Sequence, residues 1–116
     1  MATLHQTDLQ GLLLLKLSGS LTDEGVEQVG QSFQAATSRP GARIVVDLGG
    51  VDMLTTPAIS MFIAAANSAR QSGGAIAFTQ SPPFVHDVLT RLRLHSVLHT
   101  VPDVQQAIDQ MRIAST

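Results

Sequence analysis

The sequence predicts a single α/β domain built on a mixed, mainly parallel sheet, with an N-terminal hairpin and about four helices. Three observations carry this expectation. Short runs rich in branched apolar residues alternate with segments whose apolar positions recur every three or four residues, in the order β-β-α-β-α-β-α-β-α. The run Ile44-Val45-Val46 is apolar without alternation, as a central strand covered on both faces requires. The chain has 116 residues and is 44% hydrophobic, enough for one packed core and too short for two typical ones, so residues 1–116 read as one domain.

Thr3 to Thr7 and Leu12 to Leu17 read as two strands joined by the polar turn Asp8-Leu9-Gln10-Gly11. Ser20-Leu21-Thr22-Asp23-Glu24 follows, with hydroxyls suited to a helix cap and two acids suited to the positive end of a helix. Val26, Val29, Phe33 and Ala36 recur at helical spacing, so a first helix runs from about Asp23 to Thr37 and is broken by Ser38-Arg39-Pro40-Gly41. The central strand covers Arg43 to Asp47, and Gly49-Gly50 reads as a turn requirement. Met53-Leu54 is a further short extended piece.

A second helix opens at Thr56-Pro57, with threonine as N-cap and proline in the first helical position. It buries Ile59, Phe62, Ile63 and Ala66 and stops at Ser72-Gly73-Gly74. Ala75 to Thr79 is the next strand, and Ser81-Pro82-Pro83 opens a third helix with an apolar stripe of Phe84, Val85, Val88, Leu89 and Leu92. Val97 to Thr100 reads as a last short strand. Pro102-Asp103 starts a final helix with Val104, Ala107, Ile108 and Met111 inward and a frayed tail at Ala114-Ser115-Thr116.

Composition excludes several classes of function. Seven Lys and Arg against nine Asp and Glu leave no basic field for phosphate backbones, and Tyr and Trp, on which bases would stack, are absent. Nucleic acid is therefore not an expected partner. Cysteine is absent too, which removes disulfides and thiolate chemistry. The N-terminus does not resemble a secretory signal, and no apolar run approaches bilayer length, so a cytoplasmic protein without membrane insertion is expected.

No metal site, cofactor or catalytic constellation is expected either. Of His5, His86, His95 and His99, the last two are four apart but fall on a helix exit and a strand, where helical convergence fails. Ser81, His86 and Asp87 are too close in sequence to build a triad, and Gly73-Gly74 lacks the pattern of a phosphate-binding loop. The chain does not read as an enzyme.

The most informative segment is IVVDLGGVDMLTTPAIS, residues 44 to 60. It carries a buried strand through an acid and two glycines to two hydroxyls at a helix start, the end of a parallel sheet where sites gather. Unpaired amides and the helix dipole favour negative charge there, so a phosphate on Thr56 would be well received.

This order and this junction resemble the STAS domain, the fold of anti-sigma factor antagonists and of the cytoplasmic tails of sulfate transporters. The resemblance rests on Ser18-Gly19-Ser20-Leu21, on Val45-Val46-Asp47-Leu48 with Val51, and on Thr56 at the helix start. Leu92-Arg93-Leu94, Val97-Leu98 and Val104-x-x-Ala107-Ile108 extend it to nearly the whole chain. It implies a STAS-like fold and an antagonist that binds an anti-sigma factor with serine/threonine kinase activity and is switched by phosphorylation, with a phosphatase as a further partner. The phosphoacceptor position falls on Thr56, with Thr55 as second choice. Thr55 stands where the family has an acid, Ala58 where it has glycine, and Thr22 where a second acid precedes Asp23. Thr22, Asp23, Asp47, Thr55, Thr56, Pro57 and Ala58 form the expected partner surface, with the acids of the first helix, Asp23, Glu24 and Glu27, beside it. The alternative implied by the lost acids is a non-switching STAS subunit of an ABC lipid-transport or stress-signalling scaffold complex.

Overall fold

The computed structural model describes residues 2–9 and 11–114. Five strands, β1 (Ala2–Leu9), β2 (Leu12–Leu21), β3 (Arg43–Leu54), β4 (Ala75–Thr79) and β5 (Thr100–Val101), form one sheet in the order β1-β2-β3-β4-β5. β1 and β2 are the antiparallel hairpin, and every later pairing is parallel. Between them run α1 (Asp23–Thr37), α2 (Thr56–Gln71), α3 (Pro83–Arg91), the single turn α4 (His95–Leu98) and, last, α5 (Val104–Ala114). Gly11, with φ +88°, turns the hairpin where a side chain would strain the backbone.

Because consecutive parallel strands are neighbours and crossovers share one hand, α1 to α4 collect on one face of the sheet. Their core rests on Leu15, Leu17, Ile44, Val46 and Phe78. Phe33 of α1, Phe62 of α2 and Phe78 of β4 stack in a row, with ring centroids 5.9 and 5.1 Å apart. The other face is covered by α5 alone, whose Ala107 and Met111 pack on Leu12, Leu14, Val45, Ala77 and Val101.

The central strand is longer than expected. It continues through Gly49-Gly50 to Leu54, so no turn interrupts it and Met53-Leu54 is its end. Two irregularities in the pairing let β3 advance from Asp47 to Met53 while β2 advances only from Lys16 to Ser20. Each inserted residue resets the alternation of faces, so Leu48, Val51 and Leu54, three apart, all return to the same core. The glycines serve close approach instead of turning: a Cβ on Gly50 would lie 2.6 Å from Ser18 Oγ, and one on Gly49 would lie 3.1 Å from Asp47 Oδ1.

Other differences are local. Residues 97 and 98 belong to α4, and the strand expected there shrinks to Thr100–Val101. α2 buries Ala58, Phe62, Ala65, Ala66 and Ala69 and leaves Ile59 and Ile63 half-buried, because the small side chains bring the helix axis close to the sheet. α3 buries only Val85 and Leu89 of its apolar stripe and leaves Phe84 and Leu92 exposed. α5 runs to Ala114, while Ser115 and Thr116 of the expected frayed tail lie outside the described residues.

Candidate functional site

β2 and β3 end at the same level, Leu21 opposite Leu54, and each passes through one threonine into a helix. Thr22 and Thr55 are therefore equivalent N-cap positions set side by side by strand register. Their side chains do different work. Thr22 Oγ1 accepts from the Gly25 N–H at 3.1 Å, the usual N-cap bond. Thr55 makes no cap bond; its Oγ1 donates to the Leu21 carbonyl at 2.7 Å and ties the start of α2 to the end of β2.

Thr56 is thus not the N-cap that the Thr-Pro pair predicts. It is the first helical residue, Pro57 follows in the first turn where no backbone donor is needed, and Thr55 holds the cap position. Thr56 is exposed, and α2 has neither a side-chain cap nor an acid in its first turn. Pro57 carries no N–H and the Ile59 N–H already bonds the Thr55 carbonyl, so what this first turn presents is chiefly the positive end of the helix dipole. Pro57 is exposed beside Thr56, and Ala58 is fully buried beneath them. α1 differs, because Asp23 and Glu24 already complement its first turn. Asp23, Glu24 and Glu27 are exposed.

Six of the seven residues expected at the partner surface, Thr22, Asp23, Thr55, Thr56, Pro57 and Ala58, occupy the two adjacent helix starts. Asp47 stands apart. It pairs in register with Lys16 and Thr79, several residues back along β3 from the end of the strand. Its Oδ1 accepts from the Gly49 N–H at 2.8 Å, a local bond made within the irregular strand.

One neighbour of Thr56 was not expected. An open groove of about 510 Å³ separates Leu54, Thr56 and Ile59 from Val88, Arg91 and Leu92 of α3 and its exit. Arg91 brings a cation to the same groove that Thr56 lines. Nothing in the sequence links position 91 to position 56; the only trace is the exposed Leu92 next to it in the predicted stripe.

The remaining candidates stay dispersed. Among the described residues, no group of three or more His, Asp or Glu is placed to hold a metal. His99 Nε2 lies 2.9 Å from Gln110 Oε1. Ser81 and His86 line a pocket of about 280 Å³ with Pro102, which Asp87 does not line. No described helix is long and apolar enough to cross a membrane.

The fold is shared with proteins of known structure. An anti-sigma factor antagonist from Mycobacterium paratuberculosis superposes with TM-score 0.84 at 19% identity, over 97% of this chain and 95% of its own. The phosphorylated form of the Bacillus cell fate determinant SpoIIAA gives TM-score 0.71 at 14% identity, over 93% and 98%. The murine Slc26a9 anion transporter gives 0.77 at 15% identity, over 92% of this chain but 18% of its own. Comparison with curated protein sequences returns no match. A family model described as "Mlab, STAS domain" matches residues 5–102, and on that match the chain belongs to the STAS domain family.

Proposed function

We propose that this chain is a non-enzymatic protein-docking module of the anti-sigma factor antagonist type, switched by phosphorylation of Thr56. The observation that carries the reading is the exposed Thr56 hydroxyl on the uncapped first turn of α2, in a groove shared with Arg91. In the unmodified state, the apolar walls around Leu54, Ile59 and Leu92 and the exposed Asp23 and Pro57 offer a surface to an anti-sigma factor with kinase activity. Thr22 and Thr55 hold the two helix starts in place, and Ala58 lets α2 sit close to the sheet. Asp47 meets only a partner broad enough to reach along β3.

A phosphate adds a charge of about −1.5 to −2. On Thr56 it meets the positive end of the α2 dipole and Arg91, but it places a hydrated dianion in the middle of an apolar contact, so the anti-sigma factor leaves and is free to bind its sigma factor again. A phosphatase restores the docking state. The test is incubation with ATP and the kinases encoded beside the gene, with the phosphate located by mass spectrometry. Modification at Thr56, and loss of partner binding in Thr56→Glu, are expected. Absence of phosphate at both Thr56 and Thr55, with Thr56→Glu still binding normally, defeats the switch.

A second reading is favoured by separate observations. Thr22 and Thr55, which replace the acids of the resemblance, are committed to structural hydrogen bonds, and the matching family model carries the description Mlab. In this reading the chain is a permanent, unswitched subunit of an ABC lipid-transport or scaffold complex. Stable co-purification with permease or ATPase subunits, unchanged by Thr56→Glu, would select it.

A further inference from the structure

We infer that the groove between α2 and α3 takes a partner segment presenting an apolar side chain beside a carboxylate, with Arg91 as the residue that selects it. This rests on the docking reading above and narrows it to a chemistry. The walls of the groove are apolar, from Leu54 and Ile59 on one side to Val88 and Leu92 on the other. Leu92 is 53% exposed, so an apolar side chain laid against it removes unfavourable surface from water on both partners.

Among the described residues, the lining of the groove carries positive charge and no acid. Arg91 is the only ionisable one among the described residues lining it, and the first turn of α2, which contains Thr56, brings no acid but the positive end of a helix dipole. Arg93, exposed at φ +56°, follows two residues later. Asp87, one helical turn before Arg91, is exposed, and among the described residues no ion pair joins the two. A carboxylate entering this groove meets two positive features, whereas a lysine or arginine meets like charge. The planar guanidinium also favours a carboxylate that can accept two parallel hydrogen bonds. Selection at this site thus reverses what an acid-lined helix start would impose.

The experiment uses the full chain labelled with nitrogen-15 and two synthetic helical peptides that share a leucine anchor. One flanks the leucine with glutamates and the other with lysines. Amide shifts of Thr56, Ile59 and Leu92 should follow the glutamate peptide, with affinity about fivefold or more above that of the lysine peptide and a gap that narrows as salt is raised. Arg91→Glu should reverse the preference, Arg91→Lys should keep most of it, and circular dichroism should show both variants folded, since the side chain is exposed. Equal affinities, shifts confined to other faces, or binding of neither peptide overturns the inference. If the charge preference fails while Thr56→Glu still abolishes partner binding, only the selectivity is refuted; if both fail, the docking reading falls with it.

Discussion

Two adjacent threonines with the same side chain should respond in opposite ways to the same replacement. Thr55→Val keeps a β-branched side chain of similar size in an extended cap residue, at φ −120° and ψ 169°, so the change isolates the loss of one hydrogen bond. That bond runs from Oγ1 to the carbonyl of Leu21, a residue with 0% exposure. Its net worth is about 1 kcal/mol, rising to about 2 kcal/mol where the buried carbonyl is left without this donor. For a domain of this size that lowers Tm by roughly 4–8 °C. Thr56→Val removes an exposed hydroxyl that makes no hydrogen bond among the described residues and should change stability by less than about 0.5 kcal/mol, while abolishing phosphorylation. With no Trp or Tyr in the chain, far-ultraviolet circular dichroism during urea and thermal unfolding is the suitable assay. Equal losses for the two variants, or a Thr55→Val protein as stable as its parent, would refute the division of labour.

Three further replacements probe the same architecture by equilibrium unfolding. Gly25→Ala drives a Cβ into the backbone carbonyl oxygen of Ser20, which has no flexible side chain to give way, and should cost about 3 kcal/mol or more. Thr22→Ala removes the cap of α1 and should cost about 1 kcal/mol without altering the fold. Phe62→Ala opens the middle of the three-ring row and should cost about 3–5 kcal/mol, a large share of a typical domain's stability, so the variant should be recovered poorly or unfolded.

Much of the architecture was legible because local signals agreed with one another. Asp23 to Thr37 and Ala75 to Thr79 carry unambiguous periodicity or β-branching and sit where the sequence placed them. The far half of β3 was hidden because its inward residues, Leu48, Val51 and Leu54, are three apart, a spacing that fits neither strand nor helix until the two insertions in the pairing are known. Gly49-Gly50 look like turn residues for the same reason, although the demand on them comes from Ser18 across the strand and from Asp47. At the site, the Thr-Pro pair located the helix start to within one residue. The bond that moves the cap to Thr55 comes from Leu21, far earlier in the chain, and no local pattern encodes it. Arg91 escaped for the stronger form of this reason, since only the fold brings α3 to the groove that Thr56 lines.

The order β1-β2-β3-β4-β5 has a consequence for how the chain assembles. Every strand pairs with the one made just before it, so no pairing must wait for a later part of the chain, and each closure spans no more than one crossover. Loop-closure entropy grows slowly with such spans and is met in instalments, each rewarded by a new ladder and a helix laid on the same face. The sheet can therefore grow strand by strand as the polypeptide emerges, with α5 closing the second face as the last step.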